Sequence, residues 1–312
     1  MPTVNTLSVS LVLAILTLSH PAVAAESETN WQGCIGQASK LDERVAACSA
    51  VIDARQESGA KLAAAFCNRG YALTEKQDFY RALADVNDAI KLDPASACAH
   101  TNRGRVYALR RDAERALADY DEAIRINPSF ALAYNNRGDL NFGKGDLDGA
   151  IADFNMAIKS DPKLAIAYGN RGFAYYRKRD LVHAIQDYTR QIELSPDVLA
   201  YLNRGNAYRD SEQLERAAAD YAEVIKMAPD DARGWRNRGL IRLFQGDNKG
   251  GVADYDKALQ FDPVEAFSWN NRGQAKMRLG DKAGATADFR KALDLDPDLR
   301  TSREALRQLG AR

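Results

Sequence analysis

Apolar residues recur along most of the chain at spacings of three and four, the period of an amphipathic helix. They form blocks of about 12–14 residues separated by short polar turns such as KGDLDG at 144–149. The blocks come in pairs, and each pair closes on LDP or a variant of it. Within the first block of each pair stands Asn-Arg-Gly, where asparagine costs roughly 0.5 kcal/mol and glycine roughly 1 kcal/mol relative to alanine in a helix interior. Its glycine is Gly70, Gly104, Gly138, Gly172, Gly205, Gly239 and Gly273. Over seven copies the penalty is on the order of 10 kcal/mol, comparable with the stability of a domain, so packing or function must offset it.

Other positions keep the same frame of 34, 34, 34, 33, 34 and 34 residues. A ring stands four before each glycine (Phe66, His100, Tyr134, Tyr168, Tyr201, Trp235, Trp269), and a small residue stands twelve after it, from Ala82 to Ala285. Sixteen after it comes a large apolar residue, from Val86 to Phe289, and twenty-four after it a proline, from Pro94 to Pro297. Glycine and alanine facing each other let two antiparallel helices approach closely. The proline fits the first turn of the next helix, with Asp93, Asn127, Asp161, Ser195, Asp262 and Asp296 before it where an N-cap is wanted.

This frame resembles that of tetratricopeptide repeat proteins over about residues 63–297. The resemblance implies an all-α, right-handed superhelical solenoid of antiparallel helix pairs with seven repeats. The arginine before each glycine, where the family often has leucine, is similar to a variant in bacterial exported members. Residues 26–62 are expected to form a degenerate capping helix pair and 298–312 a capping helix, with Leu299, Ala305, Leu306 and Leu309 covering the exposed end. The one-residue deletion falls between Pro196 and Tyr201, in a connection rather than a helix.

Residues 1–25 lack Lys, Arg, Asp and Glu and carry an apolar run from Leu7 to Leu18, followed by small residues spaced A-x-A. This predicts a secretory signal cleaved near Ala24 or Ala25, and hence a periplasmic or secreted protein with no membrane insertion after cleavage. All four cysteines lie in the first third of the chain, an even count suited to an oxidising compartment. A Cys34–Cys48 disulfide is expected to join the two helices of the N-terminal cap, whereas the pairing of Cys67 with Cys98 stays open.

Forty-three basic and 43 acidic residues cancel, so no global field draws the chain to nucleic acid. Histidine occurs only at His20, His100 and His183, and no phosphate loop, nucleophile elbow or metal-ligand spacing is present. The reading is a non-enzyme without cofactor or metal.

Each repeat also carries an aspartate fifteen after its glycine, from Asp85 to Asp288, expected to pair with the arginine as a helix-to-helix ladder. The asparagines Asn68, Asn102, Asn136, Asn170, Asn203, Asn237 and Asn271 can project into a groove lined by the first helices. The repeat region of O-linked N-acetylglucosamine transferase, which this frame resembles, binds a peptide backbone on such asparagines, and bonding to the neighbouring repeat is the alternative.

On the same face repeats one to three offer Glu75, Arg105 and Asp139, and repeats four to seven offer Arg177, Arg209, Asp210, Arg233, Arg236 and Arg278. The second set sums to +4 and has Phe173, Tyr176, Phe244 and Phe267 beside it. That mixture suits a protein or extended peptide with carboxylates and apolar side chains. An interaction scaffold is therefore expected, with a polysaccharide-assembly or export accessory as the alternative.

Overall fold

The computed structural model describes residues 21–36, 40–55 and 57–311, and among these every regular element is an α-helix, seventeen in all. Two compact units divide the chain after Ile126. The first holds α1 (Pro21–Ile35), α2 (Leu41–Asp53), α3 (Gly59–Glu75), α4 (Phe79–Leu92), α5 (Ala97–Leu109) and α6 (Ala113–Ile126). The second begins with α7 (Ala131–Gly143), α8 (Leu147–Ser160), α9 (Ala165–Arg177), α10 (Leu181–Leu194), α11 (Val198–Asp210) and α12 (Leu214–Met227). It ends with α13 (Ala232–Phe244), α14 (Asn248–Phe261), α15 (Ala266–Arg278), α16 (Lys282–Leu295) and α17 (Arg300–Gln308). The apolar run Leu7–Leu18 read as a signal lies outside the described residues, while Ala24 and Ala25 fall within α1. No helix among the described residues is long and apolar enough to cross a membrane.

Consecutive helices pack against one another within each unit, and the repeat glycine sets how closely. A β-carbon on Gly138 would stand 2.8 Å from Phe154 Cε1 and 3.2 Å from the carbonyl oxygen of Ala150. The ring sixteen residues after the glycine therefore lies flat on a helix that has no side chain there. Tyr120, Phe154, Tyr188, Tyr221, Tyr255 and Phe289 are among the largest fully buried side chains, which is where the offset for the glycine resides. Burial pushes the phenols of Tyr188, Tyr221 and Tyr255 well above their ordinary range.

Each first helix ends seven residues after its glycine in a left-handed residue: Gln77, Arg111, Gly145, Arg179, Glu212, Gly246 or Gly280. An aspartate follows in most turns, and Asp78, Asp112, Asp146, Asp180, Asp247 and Asp281 each accept the N–H three residues on. The residues before the prolines behave otherwise than expected. Asp93, Asn127, Asp161 and Asp296 accept from the N–H two residues on, forming side-chain turns over the proline. The caps of α5, α11, α13 and α15 are Ser96, Asp197, Asp231 and Glu265, because the proline precedes its helix by two or three residues.

At the amino end, α1 and α2 pack through Trp31, Cys34, Cys48 and Val51. The sulfurs of Cys34 and Cys48 are 2.05 Å apart, and those of Cys67 on α3 and Cys98 on α5 are 2.34 Å apart, both in disulfide geometry. At the other end α17 lays Ala305 and Leu306 against Phe289 and Ala285.

Candidate functional site

Every repeat arginine grips its aspartate with two parallel bonds. Arg171 donates from Nε and Nη2 to Asp187 at 2.8 and 2.7 Å, and the other six pairs repeat this fork within their own helix pair. In six repeats the ring three residues earlier lies over the guanidinium, from 4.6 Å at Trp269 to 5.7 Å at Tyr168, whereas His100 in repeat two faces Asp119 at 3.4 Å. That ring is held in turn by the proline carbonyl six residues before it: Trp235 and Trp269 donate their indole N–H to Pro229 and Pro263 at 2.9 Å. The third guanidinium nitrogen reaches the second helix of the preceding repeat, as Arg103 does to Asn87, Arg171 to Asn155 and Arg272 to Asp256. Arginine, ring and proline thus form one structural device in most repeats.

The asparagines divide into two kinds. Asn68 donates to its own helix at Ala64 O, Asn102 to Cys67 O, Asn170 to Asn135 Oδ1 and Asn271 to the Tyr255 hydroxyl, while Asn136 accepts from Asn135. Asn203 and Asn237, both half-buried, make no hydrogen bond within the described chain. The difference lies one repeat back. Asn170 bonds the side chain standing just before the preceding asparagine, Asn135, whereas for Asn203 that residue is Gly169 and for Asn237 it is Leu202, neither with a side-chain acceptor. This signal was present in the sequence, and reading the asparagines as a uniform row passed over it.

The groove arginines are less free than the +4 sum implies. Arg233 forks onto Asp231, Arg236 lies 3.9 Å from Glu265, and Arg209 lies 2.9 Å from Asp210. Asp231 and Glu265 cap the very helices that carry the groove residues; counting them lowers the excess to +2. Arg233 holds the Asp231 carboxyl below its ordinary range. Asp210 is likewise low, because the hydroxyl of Tyr176 at 2.6 Å and Arg209 outweigh its burial. Arg177 makes no ion pair among the described residues and stands over Phe142, and Arg278 donates to Leu243 O at 3.3 Å. Among repeats one to three, Arg105 pairs with Glu75 at 2.6 Å.

Apolar side chains complete the face in the second unit. Leu132, Ile166, Leu199 and Phe267, each six residues before a repeat glycine, are about half exposed, as is Phe244. Between α9 and α11 a cavity of ≈ 840 Å³ opens, lined by Ile166, Phe173, Val198, Leu199 and Met227 with Asn203 at its side. It sits where the connection is one residue short. No cluster of His, Cys, Asp and Glu suited to a metal ion occurs among the described residues.

The tetratricopeptide repeat profile matches residues 67–129, 110–165, 136–198, 202–266 and 266–299. The chain belongs to the tetratricopeptide repeat family. A comparison with curated proteins found no match. Solved tetratricopeptide structures share the fold at low identity. YrrB, described as having an unusual peptide-binding site, is 20% identical over 60% of this chain and 97% of its own, with TM-score 0.55. PilF of Pseudomonas aeruginosa is 18% identical over 69% of this chain and 98% of its own, with TM-score 0.60. The C-terminal part of a repeat protein from Cytophaga hutchinsonii is 20% identical over 77% and 99%, with TM-score 0.60. The tetratricopeptide fold is a scaffold for protein interaction, and its helix pairs here are the ones the frame predicted.

Proposed function

We propose that the chain is a non-enzymatic scaffold that holds a protein or extended peptide on the first-helix face of its second unit. The observation that carries this reading is the pair of amides without a side-chain partner among the described residues, Asn203 and Asn237, set among exposed apolar side chains of that face. An amide offers donor and acceptor together, matching a peptide backbone without fixing its sequence. Apolar surface beside it supplies burial on binding. Arg177 adds a cation without a carboxylate partner among the described residues, so an acidic residue in the partner is accommodated near α9. The asparagines bonded within the array belong on this reading to the scaffold, and the other two to the ligand.

Two cysteine pairs at bonding distance support an oxidising compartment, the periplasm or the exterior, and a signal over residues 1–25. The helix pair α1–α2 and the helix α17 act on this reading as caps that close the apolar ends. The test is capture of partners from periplasmic extract by the mature protein, with and without Asn203→Ala and Asn237→Ala together. The expected result is a partner lost from the variant at unchanged melting temperature. An equal yield from both proteins would place binding elsewhere. Competition by an acidic oligosaccharide but not by peptide would move the reading to polysaccharide assembly or export.

A further inference from the structure

Nineteen residues after the repeat glycine, six repeats bury a small aliphatic residue, Ala89, Ala123, Ala157, Val224, Ala258 and Ala292. Repeat four has Gln191 there instead, and Gly169 stands opposite, where any side chain would collide with it. The Gln191 Oε1 is closed off from solvent and accepts no hydrogen bond. Its Nε2 donates to Asp197 Oδ2 at a long 3.4 Å, which fixes the amide's orientation, since the reverse would face oxygen to carboxylate. Asp197 replaces the longer turn of the other connections and caps α11 through its other oxygen.

These residues line the same cavity as Ile166, Phe173, Leu199 and Met227. Its volume is within the range of side-chain and ligand pockets, and its walls are apolar with few polar groups, the usual composition of such sites. Of the polar groups at the α10–α11 side, the Gln191 oxygen is sealed against Gly169, while Asp197 has a carboxylate oxygen used only weakly, by Gln191. No cation lines it.

We infer that this cavity takes an aromatic side chain bearing a hydrogen-bond donor, an indole or a phenol, from the partner held on this face. The ring lies between Ile166, Phe173, Leu199 and Met227, its N–H or O–H turns toward Asp197 Oδ2, and the amide of Asn203 pairs the backbone of the same residue. A buried indole or phenol requires such an acceptor, whereas a leucine or phenylalanine would leave that oxygen weakly used and a glutamate would face Asp197. The inference rests on the binding face proposed above and specifies its anchor.

The experiment uses the mature protein with 13C-labelled Ile, Leu, Val and Met methyls. It is titrated with acetylated and amidated heptapeptides Gly-Ser-Gly-X-Gly-Ser-Gly, where X is Trp, Tyr, Phe, Leu or Glu. The expected result is that the Trp and Tyr peptides shift the methyls of Ile166, Leu199 and Met227 and bind at least fivefold tighter than the Phe peptide, with no binding for Glu. Asp197→Asn, which keeps an oxygen for the α11 cap and offers the cavity an N–H in place of the carboxylate oxygen, should reduce the Trp-to-Phe preference to under twofold, and Leu199→Asp should abolish binding at unchanged melting temperature. Equal affinity for Trp and Phe, or shifts confined to other methyls, would overturn the inference. If the identity of X makes no difference while the Asn203 and Asn237 double variant still loses its partner, the anchor is wrong and the face stands. If both measurements are negative, the face falls with it.

Discussion

A β-carbon on Gly169 would stand 2.5 Å from Gln191 Oε1, so a side chain there must displace the amide of the glutamine. At the position of Gly169 repeats three and seven carry Asn135 and Asn270, each opposite an alanine of its own repeat. We expect Gly169→Asn alone to cost about 1–2 kcal/mol, and to cost much less in a Gln191→Ala background. A urea double-mutant cycle checks this, and additive effects would show that the side chains do not compete for the space.

Gly138→Leu should destabilise the protein by about 3 kcal/mol even though leucine is the better helix former by roughly 1 kcal/mol. The added side chain meets the ring of Phe154 and, behind it, the backbone of Ala150, neither of which is a flexible end that can swing away. Chemical denaturation measures it; wild-type stability in the variant would mean that this helix pair does not pack through its glycine.

For the arginine fork, Arg171→Met should cost about 2–4 kcal/mol, because it strands the Asp187 carboxylate, whose side chain is 7% exposed. Arg171→Lys should recover only part of this, since an ammonium cannot make the paired bonds. Replacing both residues, Arg171→Met with Asp187→Leu, should return most of the loss. Equilibrium unfolding of the three variants separates a stranded charge from a net-favourable pair.

The ladder does not titrate uniformly. Burial pushes the Asp119 carboxyl up, but His100 and Arg103 together more than reverse it and hold it below its ordinary range. At Asp220 burial prevails over Arg204 alone and the carboxyl is raised. The depressed group contributes stability that is present above the unfolded carboxylate range and lost as pH falls through its folded value. The raised group favours the folded state more as pH falls through its own raised value. The stability gap between wild type and Asp119→Asn should therefore shrink on acidification, and that between wild type and Asp220→Asn should widen. Urea melts from neutral pH down to about pH 3 read both trends.

Much of this could be read from the chain because the frame recurs: seven in-phase copies put Gly138 against Ala150 and Arg171 beside Asp187, while the ring of Phe154 on the glycine was legible only as a large residue in frame. Elsewhere single residues break the average. Asp93 before Pro94 has the composition of an N-cap, yet it turns the chain over the proline while Ser96 does the capping; both use one side-chain oxygen, and only the distance to the helix differs. Arg233 and Arg236 were summed along one helical face, whereas their partners Asp231 and Glu265 sit at helix starts, off that face but within reach of a long side chain. Asn203 differs from Asn170 through a residue one repeat earlier, Gly169 in place of Asn135, which helical periodicity does not consult.

In five of the seven repeats the third nitrogen of the guanidinium reaches backward: to Ser49 from Arg69, Asn87 from Arg103, Asn155 from Arg171, Thr189 from Arg204 and Asp256 from Arg272. A chain emerging from the ribosome amino end first therefore presents every one of these arginines to an acceptor that has already been synthesised, so each helix pair can dock as it appears. Trimming the array from its carboxyl end removes whole forks and leaves each remaining arginine its acceptor. Trimming from the amino end takes an acceptor away from the first arginine kept. The protein thus has a grain, and its shortened forms should be sturdier when cut from one side than from the other.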